Sequence, residues 1–185
     1  MPKKIVITGG LGYIGTEICK IYSGESWRNQ ITVIDNRFVS ERVNQLRNWS
    51  INFVHADIRD LENVKQFLKE ADVIHHLAGI TDVARNKEES NPEKDKEMNN
   101  VAEKGTSVVL SGSSENCKII FPSTHVVFEG KGEIEEDIKE DYKKFPVLSY
   151  SVGKDKNEEQ IKESGKNYVI LRLASVYGYS TDTMR

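Results

Sequence analysis

Lys3-Lys4-Ile5-Val6-Ile7-Thr8-Gly9-Gly10-Leu11-Gly12-Tyr13-Ile14-Gly15 runs an apolar strand directly into a loop with glycine at every third position. Unpaired amides at the first turn of a helix, together with the helix dipole, favour an anion such as a pyrophosphate. A Cβ at Gly9, Gly12 or Gly15 would obstruct the turn, the approach to phosphate or the close packing of helix on strand. The spacing is G-x-x-G-x-x-G rather than the commoner G-x-G-x-x-G. It predicts a dinucleotide-binding loop followed by a helix from Gly12 through Tyr22, with Ile14, Ile18 and Ile21 as its buried stripe.

A second apolar run, Ile31-Thr32-Val33-Ile34, ends in Asp35. A carboxylate at that strand tip can accept hydrogen bonds from a ribose diol and repels a 2′-phosphate, so NAD is favoured over NADP. Arg37 lies close by in sequence, and its guanidinium could instead receive that phosphate. Against the binding reading stands an ordinary glycine turn with Asp35 capping a loop. The order strand, glycines, helix, strand, acid argues for the cofactor.

Composition fits an intracellular enzyme. The 185 residues, 37% hydrophobic and 30% charged, are enough for one sizeable core and one domain, residues 1–185. A net charge of -3 gives no basic field for nucleic acid or an acidic membrane surface. No span approaches membrane length, and the N-terminus lacks a signal peptide, so a cytoplasmic location is expected. Cys19 and Cys117 have no metal or redox spacing and read as buried free thiols. His55, His75 and His76 show no metal-ligand spacing and read as strand residues with satisfied rings, so no metal is expected. Trp27 and Trp49 read as packing residues.

Short apolar runs alternate with helical patterns, as in a parallel sheet covered on both faces. Strands are predicted near 3–8, 31–35, 51–55, 72–77, 118–122 and 168–173, and helices near 12–23, 41–48, 60–70, 93–113 and 149–164. Neither an internal repeat nor a low-complexity linker is present. The charged stretch Glu133 to Lys144 reads as an exposed loop, solvated surface rather than a binding site, although it precedes the last helix and could border an active site there.

Tyr150-Ser151-Val152-Gly153-Lys154 puts a phenol and an amine four residues apart, on one face of a helix. A nearby ammonium favours phenolate, and the positive ring of an oxidised nicotinamide adds to that effect. Tyr150 could then take a proton from a substrate hydroxyl while hydride leaves the same carbon. The spacing alone is also that of ordinary helix surface. Pro122-Ser123-Thr124 follows the apolar run Lys118-Ile119-Ile120-Phe121, at the strand end where open parallel sheets place their sites. Thr124, or alternatively Ser123, could hold the reacting oxygen beside Tyr150. The competing role is a hydroxyl that closes the strand end on backbone.

With these motifs in order, the chain resembles the extended short-chain dehydrogenase/reductase family, the NAD-dependent epimerases and dehydratases of nucleotide sugars. Thr8-Gly9-Gly10-Leu11-Gly12-Tyr13-Ile14-Gly15 is similar to the family's TGGxGxIG loop, and Val33-Ile34-Asp35-Asn36 to its ribose-binding strand end. Asp57-Ile58-Arg59-Asp60 resembles the segment whose aspartate meets the adenine, and His76-Leu77-Ala78-Gly79 the loop lining the cofactor. Asn99 looks like the asparagine preceding the long central helix. Ser123-Thr124 and Tyr150 to Lys154 match the catalytic groups, and Leu171 to Gly178 the last strand of the cofactor domain. The resemblance implies a doubly wound α/β parallel sheet (a Rossmann fold), and cofactor contacts from Gly9, Gly12, Tyr13, Ile14, Gly15, Asp35, Asn36, Asp57, Ile58, Leu77, Ala78, Gly79, Asn99, Tyr150 and Lys154. It also implies a nucleotide-sugar substrate and a homodimer formed through the helices near 93–113 and 149–164.

Departures narrow the expected reaction. Dehydratases of this family carry Asp-Glu after the catalytic threonine, whereas this chain has His125-Val126, which disfavours dehydration; His125 could stand in as the acid, but a local role is favoured. Ser175 and Tyr179 stand where many relatives have asparagine and proline. The family's C-terminal substrate lobe is missing, so a fragment of a longer enzyme is expected. An epimerase working through a transient keto-sugar is the leading reading. A nucleotide-sugar ketoreductase is the second, since Ser123 to Gly130 resembles the STDYVFDG segment of dTDP-4-dehydrorhamnose reductases. A non-catalytic NAD-binding module is the third.

Overall fold

Ile5 and Ile7 point to one side of the first strand and Val6 to the other, and this alternation divides the whole molecule into two cores. The structure, a computed structural model, describes residues 2–24, 28–81, 84, 86, 88–132 and 137–178. Six strands form one parallel sheet: β1 (Lys3–Thr8), β2 (Asn29–Asp35), β3 (Asn52–His55), β4 (Val73–His76), β5 (Lys118–Thr124) and β6 (Asn167–Leu173). Their spatial order is β3-β2-β1-β4-β5-β6. The helices are α1 (Tyr13–Ser23), α2 (Ser40–Asn48), α3 (Leu61–Lys69), α4 (Pro92–Gly112) and α5 (Ser149–Glu163).

On one face, Ile5, Ile7, Ile31 and Val33 pack with Cys19 of α1 and with Val43 and Leu46 of α2. On the other, Val6, Ile34, Ile74, Ile119 and Phe121 pack with Val64 and Leu68 of α3, Val109 of α4 and Ile161 of α5. Each such side chain contributes roughly 1.5–3 kcal/mol by leaving water. The chain runs outward from β1 through β2 to β3, then returns to β4 on the far side of β1. The loops after β1 and β4 therefore part at the C-terminal edge and open a crevice between them.

The predicted elements all form, with ends shifted by a residue or two. Local chemistry sets several of those ends. Asn91 caps α4, its Oδ1 accepting from Glu93 N (3.0 Å) and Lys94 N (3.1 Å), with Pro92 in the first turn. Asp60 caps α3. A short 3-10 helix over His125–Lys131, absent from the sequence reading, follows β5 and is capped by Thr124.

Three expectations need correction. Ile21 is 73% exposed, and the sheet-facing residues of α1 are Gly15, Ile18, Cys19 and Tyr22. The close seat of Gly15 on the glycine loop sets this rotation, since residues 15, 19 and 22 then share the inner face. Asn99 lies within α4 and does not precede it, because Asn91 and Pro92 start the helix eight residues earlier. The described part of the charged loop is largely exposed, as expected. Lys144 departs from that pattern, its side chain only 15% exposed because it reaches the carboxylates of α5. Trp27, Tyr179 and residues 133–136 lie outside the described residues, whereas Trp49 packs against the α1–α2 core as expected.

A Cβ on Gly15 would sit 2.6 Å from Gly10 Cα and Gly9 O, so Gly15→Ala should cost about 1–3 kcal/mol in chemical denaturation. Gly24→Ala, whose Cβ finds no atom closer than 3.6 Å and whose backbone is right-handed helical, should be neutral or slightly stabilising.

Candidate active site

The glycine loop is held by its own backbone. Gly9 adopts φ +69°, and a Cβ there would lie 2.8 Å from Ala78 N and Cα, so the loops after β1 and β4 touch at this point. Gly9 N donates to Ile34 O (2.8 Å), and Gly12 N donates to Gly9 O (3.0 Å). Gly10, which the spacing did not single out, abuts Val33, where a Cβ would meet Cγ1 at 2.6 Å. Gly12 caps α1 without a side chain, so the opening turn at Tyr13, Ile14 and Gly15 presents amides that no side chain caps. An uncapped, glycine-lined helix N-terminus fits a pyrophosphate.

Asp35 sits buried at the tip of β2. Its Oδ2 accepts from Leu11 N (3.0 Å) and its Oδ1 from Arg37 N (3.0 Å), while Arg37 Nε lies 3.6 Å away. The carboxylate is thus tied to the glycine loop, as a ribose-diol acceptor at this place requires. Exposed Arg37 pairs with it. Asn36 O accepts from His55 Nε2 (2.9 Å), and Tyr13 OH donates to Gly178 O (3.1 Å).

The remaining cofactor candidates vary in fit. Leu77 N donates to Thr8 O and Ala78 N to Thr8 Oγ1, both at 3.1 Å, and exposed Gly79 has open space about it. Asp57 is engaged by Arg59, which donates from its backbone N (2.8 Å) and from its guanidinium (2.6–3.2 Å) and also binds Glu97 (2.7 Å). Arg59 holds the Asp57 carboxyl below its ordinary range. The side chain of Ile58 is buried against Gly105. Asn99 Oδ1 is buried without a hydrogen-bond partner, against Gly153 of α5.

Tyr150 opens the first turn of α5 and lines a depression with Ala84, Ser90, Asp95, Met98 and Leu148. Lys154 lies one turn further, its Nζ donating to Pro122 O (2.7 Å) and standing 4.4 Å from the Phe121 ring centroid and 5.9 Å from that of Tyr150. Burial pushes the ammonium down to about 8 and raises the Tyr150 phenol above its usual value. The expected depression of the phenol by Lys154 is therefore absent in the protein alone, because desolvation outweighs a cation committed to a carbonyl. Thr124 Oγ1 accepts from Val126 N (3.3 Å), the strand-closing role, and among the described residues it donates to no acceptor. Ser123 Oγ donates to Glu158 Oε1 (2.5 Å), so its proton is already committed to a carboxylate of α5.

Two carboxylates that the sequence reading missed hold the Tyr150 helix. Glu158, fully buried, accepts from Ser123, from Arg172 Nε (3.0 Å) and Nη2 (2.8 Å), and from Lys144 Nζ (3.3 Å). These partners overcome the cost of burial and hold it down to about 2. Lys144 also pairs with Asp155 and Glu159, so these two acids of α5 and Glu158 all meet opposite charge. Glu129 Oε1 accepts from Val147 N (2.9 Å), Leu148 N (2.7 Å) and Ser151 Oγ, supplying the cap that Leu148 lacks. A polar residue interrupting the inner face of α5 was the available signal for Glu158. Glu129 had none, because its partners lie 18 to 22 residues away.

The histidines and cysteines behave as read. Cys19 and Cys117 are free and buried, and burial raises their thiols to about 12 and about 11. Tyr22 OH bonds His75 Nε2 (2.8 Å), and His76 contacts Thr8 and Thr106. His125 Nδ1 meets Leu173 O (3.2 Å), a local role, and Ser175 is exposed beyond β6. Among the described residues no helix is long and apolar enough to cross a membrane.

The sequence profile of the RmlD substrate binding domain family matches residues 3–184. Over 144 residues the chain is 31% identical to the UDP-glucose 4-epimerase of Neisseria meningitidis serogroup C, covering 71% of this chain and 40% of that protein. Among solved structures, UDP-glucose 4-epimerase of Thermotoga maritima with UDP-glucose shares the fold at TM-score 0.80 and 24% identity, covering 96% of this chain and 57% of that one. UDP-glucuronic acid 4-epimerase of Bacillus cereus in complex with NAD gives TM-score 0.75 at 25% identity, covering 94% and 57%. The chain spans less than half the length of the curated relatives it matches.

Glu158→Gln, which leaves the half-buried Arg172 beside a neutral amide, should lower stability by about 2–4 kcal/mol in urea titration. Because folding depresses the Glu158 carboxyl to about 2 from 4.5, its contribution is full above pH 4.5 and is lost as pH falls towards 2. The variant should show a shallower loss of stability across that window.

Proposed function

The chain belongs to the RmlD substrate binding domain family, within the extended short-chain dehydrogenase/reductases, and we propose that it forms the cofactor-binding and proton-transfer half of a nucleotide-sugar epimerase. Support comes above all from Tyr150 and Lys154, one turn apart on α5 over the C-terminal end of β5, on the edge where the glycine loop and Asp35 also lie. The amides at Tyr13, Ile14 and Gly15 would hold the pyrophosphate and Asp35 the adenosine ribose. Leu77, Ala78 and Gly79 would line the cofactor. A bound NAD supplies a hydride acceptor that can return the hydride to either face of a planar carbon.

The proton is the work of this chain's own groups. Tyr150 takes it from a sugar carbinol hydroxyl and gives it back to the keto-sugar oxygen after the sugar presents its other face. Thr124 donates to that oxygen and orients it. Lys154 holds positive charge beside the phenol, and a second positive charge on the oxidised nicotinamide opposes the desolvation that keeps Tyr150 protonated. Asp35 favours NAD, since a 2′-phosphate would face a carboxylate already fixed by two amides. A homodimer through the outer faces of α4 and α5 is part of the same proposal.

A second reading, a nucleotide-sugar ketoreductase, draws on the resemblance of Ser123 to Gly130 to the reductase segment, which here forms the end of β5 and the 3-10 helix that presents Glu129 to α5. Cofactor use separates the two. An epimerase should interconvert UDP-glucose and UDP-galactose without net change in NADH, whereas a reductase should consume it in proportion to substrate.

Tyr150→Phe should cut turnover by about 10²–10⁴-fold while NAD affinity, read by calorimetry, changes little. Equal turnover in variant and parent would remove the phenol from the mechanism. In tyrosinate difference absorbance, the Tyr150 phenol should titrate above 10 in the protein alone and lower once NAD is added.

A further inference from the structure

A single file of buried hydrogen bonds crosses the molecule from the loop after β4 to the helix that carries Tyr150. Its directions follow from its far end. The carbonyls of Ala102 and Gly153 can only accept, so the Asn157 amide nitrogen faces both, at 3.3 and 3.2 Å, and Asn157 Oδ1 faces Thr106 Oγ1 at 3.2 Å. Thr106 must then give its single proton to Asn157, and its lone pair receives from His76 Nε2 (3.0 Å). With Nε2 protonated, His76 Nδ1 is the acceptor for Thr8 Oγ1 (2.9 Å), which itself accepts from Ala78 N (3.1 Å). Each hydroxyl along the file has both roles assigned, and Thr8, His76, Thr106 and Asn157 are all buried.

The geometry points to His76 as a positioning residue that couples the Ala78 loop to the Tyr150–Lys154 helix through one fixed imidazole tautomer. This inference rests on the functional reading above, in which Ala78 lines the cofactor and α5 carries the proton-transfer groups. Gly153, where the file ends, immediately precedes Lys154, and Ala78, where it begins, touches the glycine loop at Gly9. The ring is suited to this task because it stays neutral: burial, with the nearby positive charge of Lys154, pushes it down to about 3. Protonation or the other tautomer would set two donors against each other at Thr8 and reverse the file.

The first test needs neither cofactor nor turnover. Nitrogen-15 spectra of the imidazoles in the free protein should show one histidine with a slowly exchanging Nε2–H and an unprotonated Nδ1, unchanged from pH 8 to pH 5. An Nδ1-protonated ring at His76, or titration within that range, overturns the proposal. The second test splits the file. His76→Asn places its amide near the Nδ1 position and leaves Thr106 unserved. His76→Gln reaches towards the Nε2 position and leaves Thr8 unserved. The first should lower kcat by about tenfold with NAD affinity near the parent's, and the second should weaken NAD binding by a similar factor, each corresponding to one lost buried hydrogen bond. Thr106→Val, an isosteric change, should repeat the first pattern if either histidine variant fails to fold. Equal losses in both parameters from all variants, or none, would mean that the file only supports the core. Were the parent to turn over no nucleotide sugar, the functional reading would fail while the spectra still tested the tautomer.

Discussion

The architecture turns on the contact between Gly9 and Ala78, where two loops leaving adjacent strands approach so closely that no side chain fits between them. Strands β1 and β4 are neighbours because the chain goes out to β3 and comes back across β1, and their loops must then diverge. Gly9 turns away with positive φ, α1 starts at once, and its first amides face the crevice without a side-chain cap. Asp35 reaches the same loop from β2 by accepting from Leu11 N. A bulkier residue at Gly9 would push the loops apart and loosen every one of these contacts.

Around that contact, two carboxylates, one of them buried, do what apolar packing cannot. Glu129 supplies the missing cap of α5, and Glu158 joins the same helix to β5 through Ser123 and to β6 through Arg172. Hydrophobic burial is non-directional and tolerates small rotations of a helix, whereas these bonds fix where the first turn of α5 points. Tyr150 inherits its position from them. Lys154 is held likewise by Pro122 O.

Much of this was legible in the residue order. Six strands and five helices follow from apolar runs and from the 3.6-residue pattern, because these depend on neighbours a few residues apart. The glycine loop and Asp35 were legible for the same reason, and so was the shared face of Tyr150 and Lys154. Less local features were misread. Ile21 satisfied the helical period yet faces solvent, because the seat of Gly15 set the rotation of α1. Ser123 stood as the alternative to Thr124, and the carboxylate that claims its hydroxyl, Glu158, lies 35 residues away.

By itself, the sequence determined a doubly wound parallel sheet, a glycine cradle with a carboxylate at the next strand tip, and a phenol and amine on one helix, since each is written in spacings of a few residues. Only the tertiary structure decided which hydroxyl Glu158 claims, which carboxylates hold α5, and which hydroxyls flank His76. Those contacts link positions 14 to 70 residues apart, and their hydrogen bonds exist only once the strands that carry them have come into register.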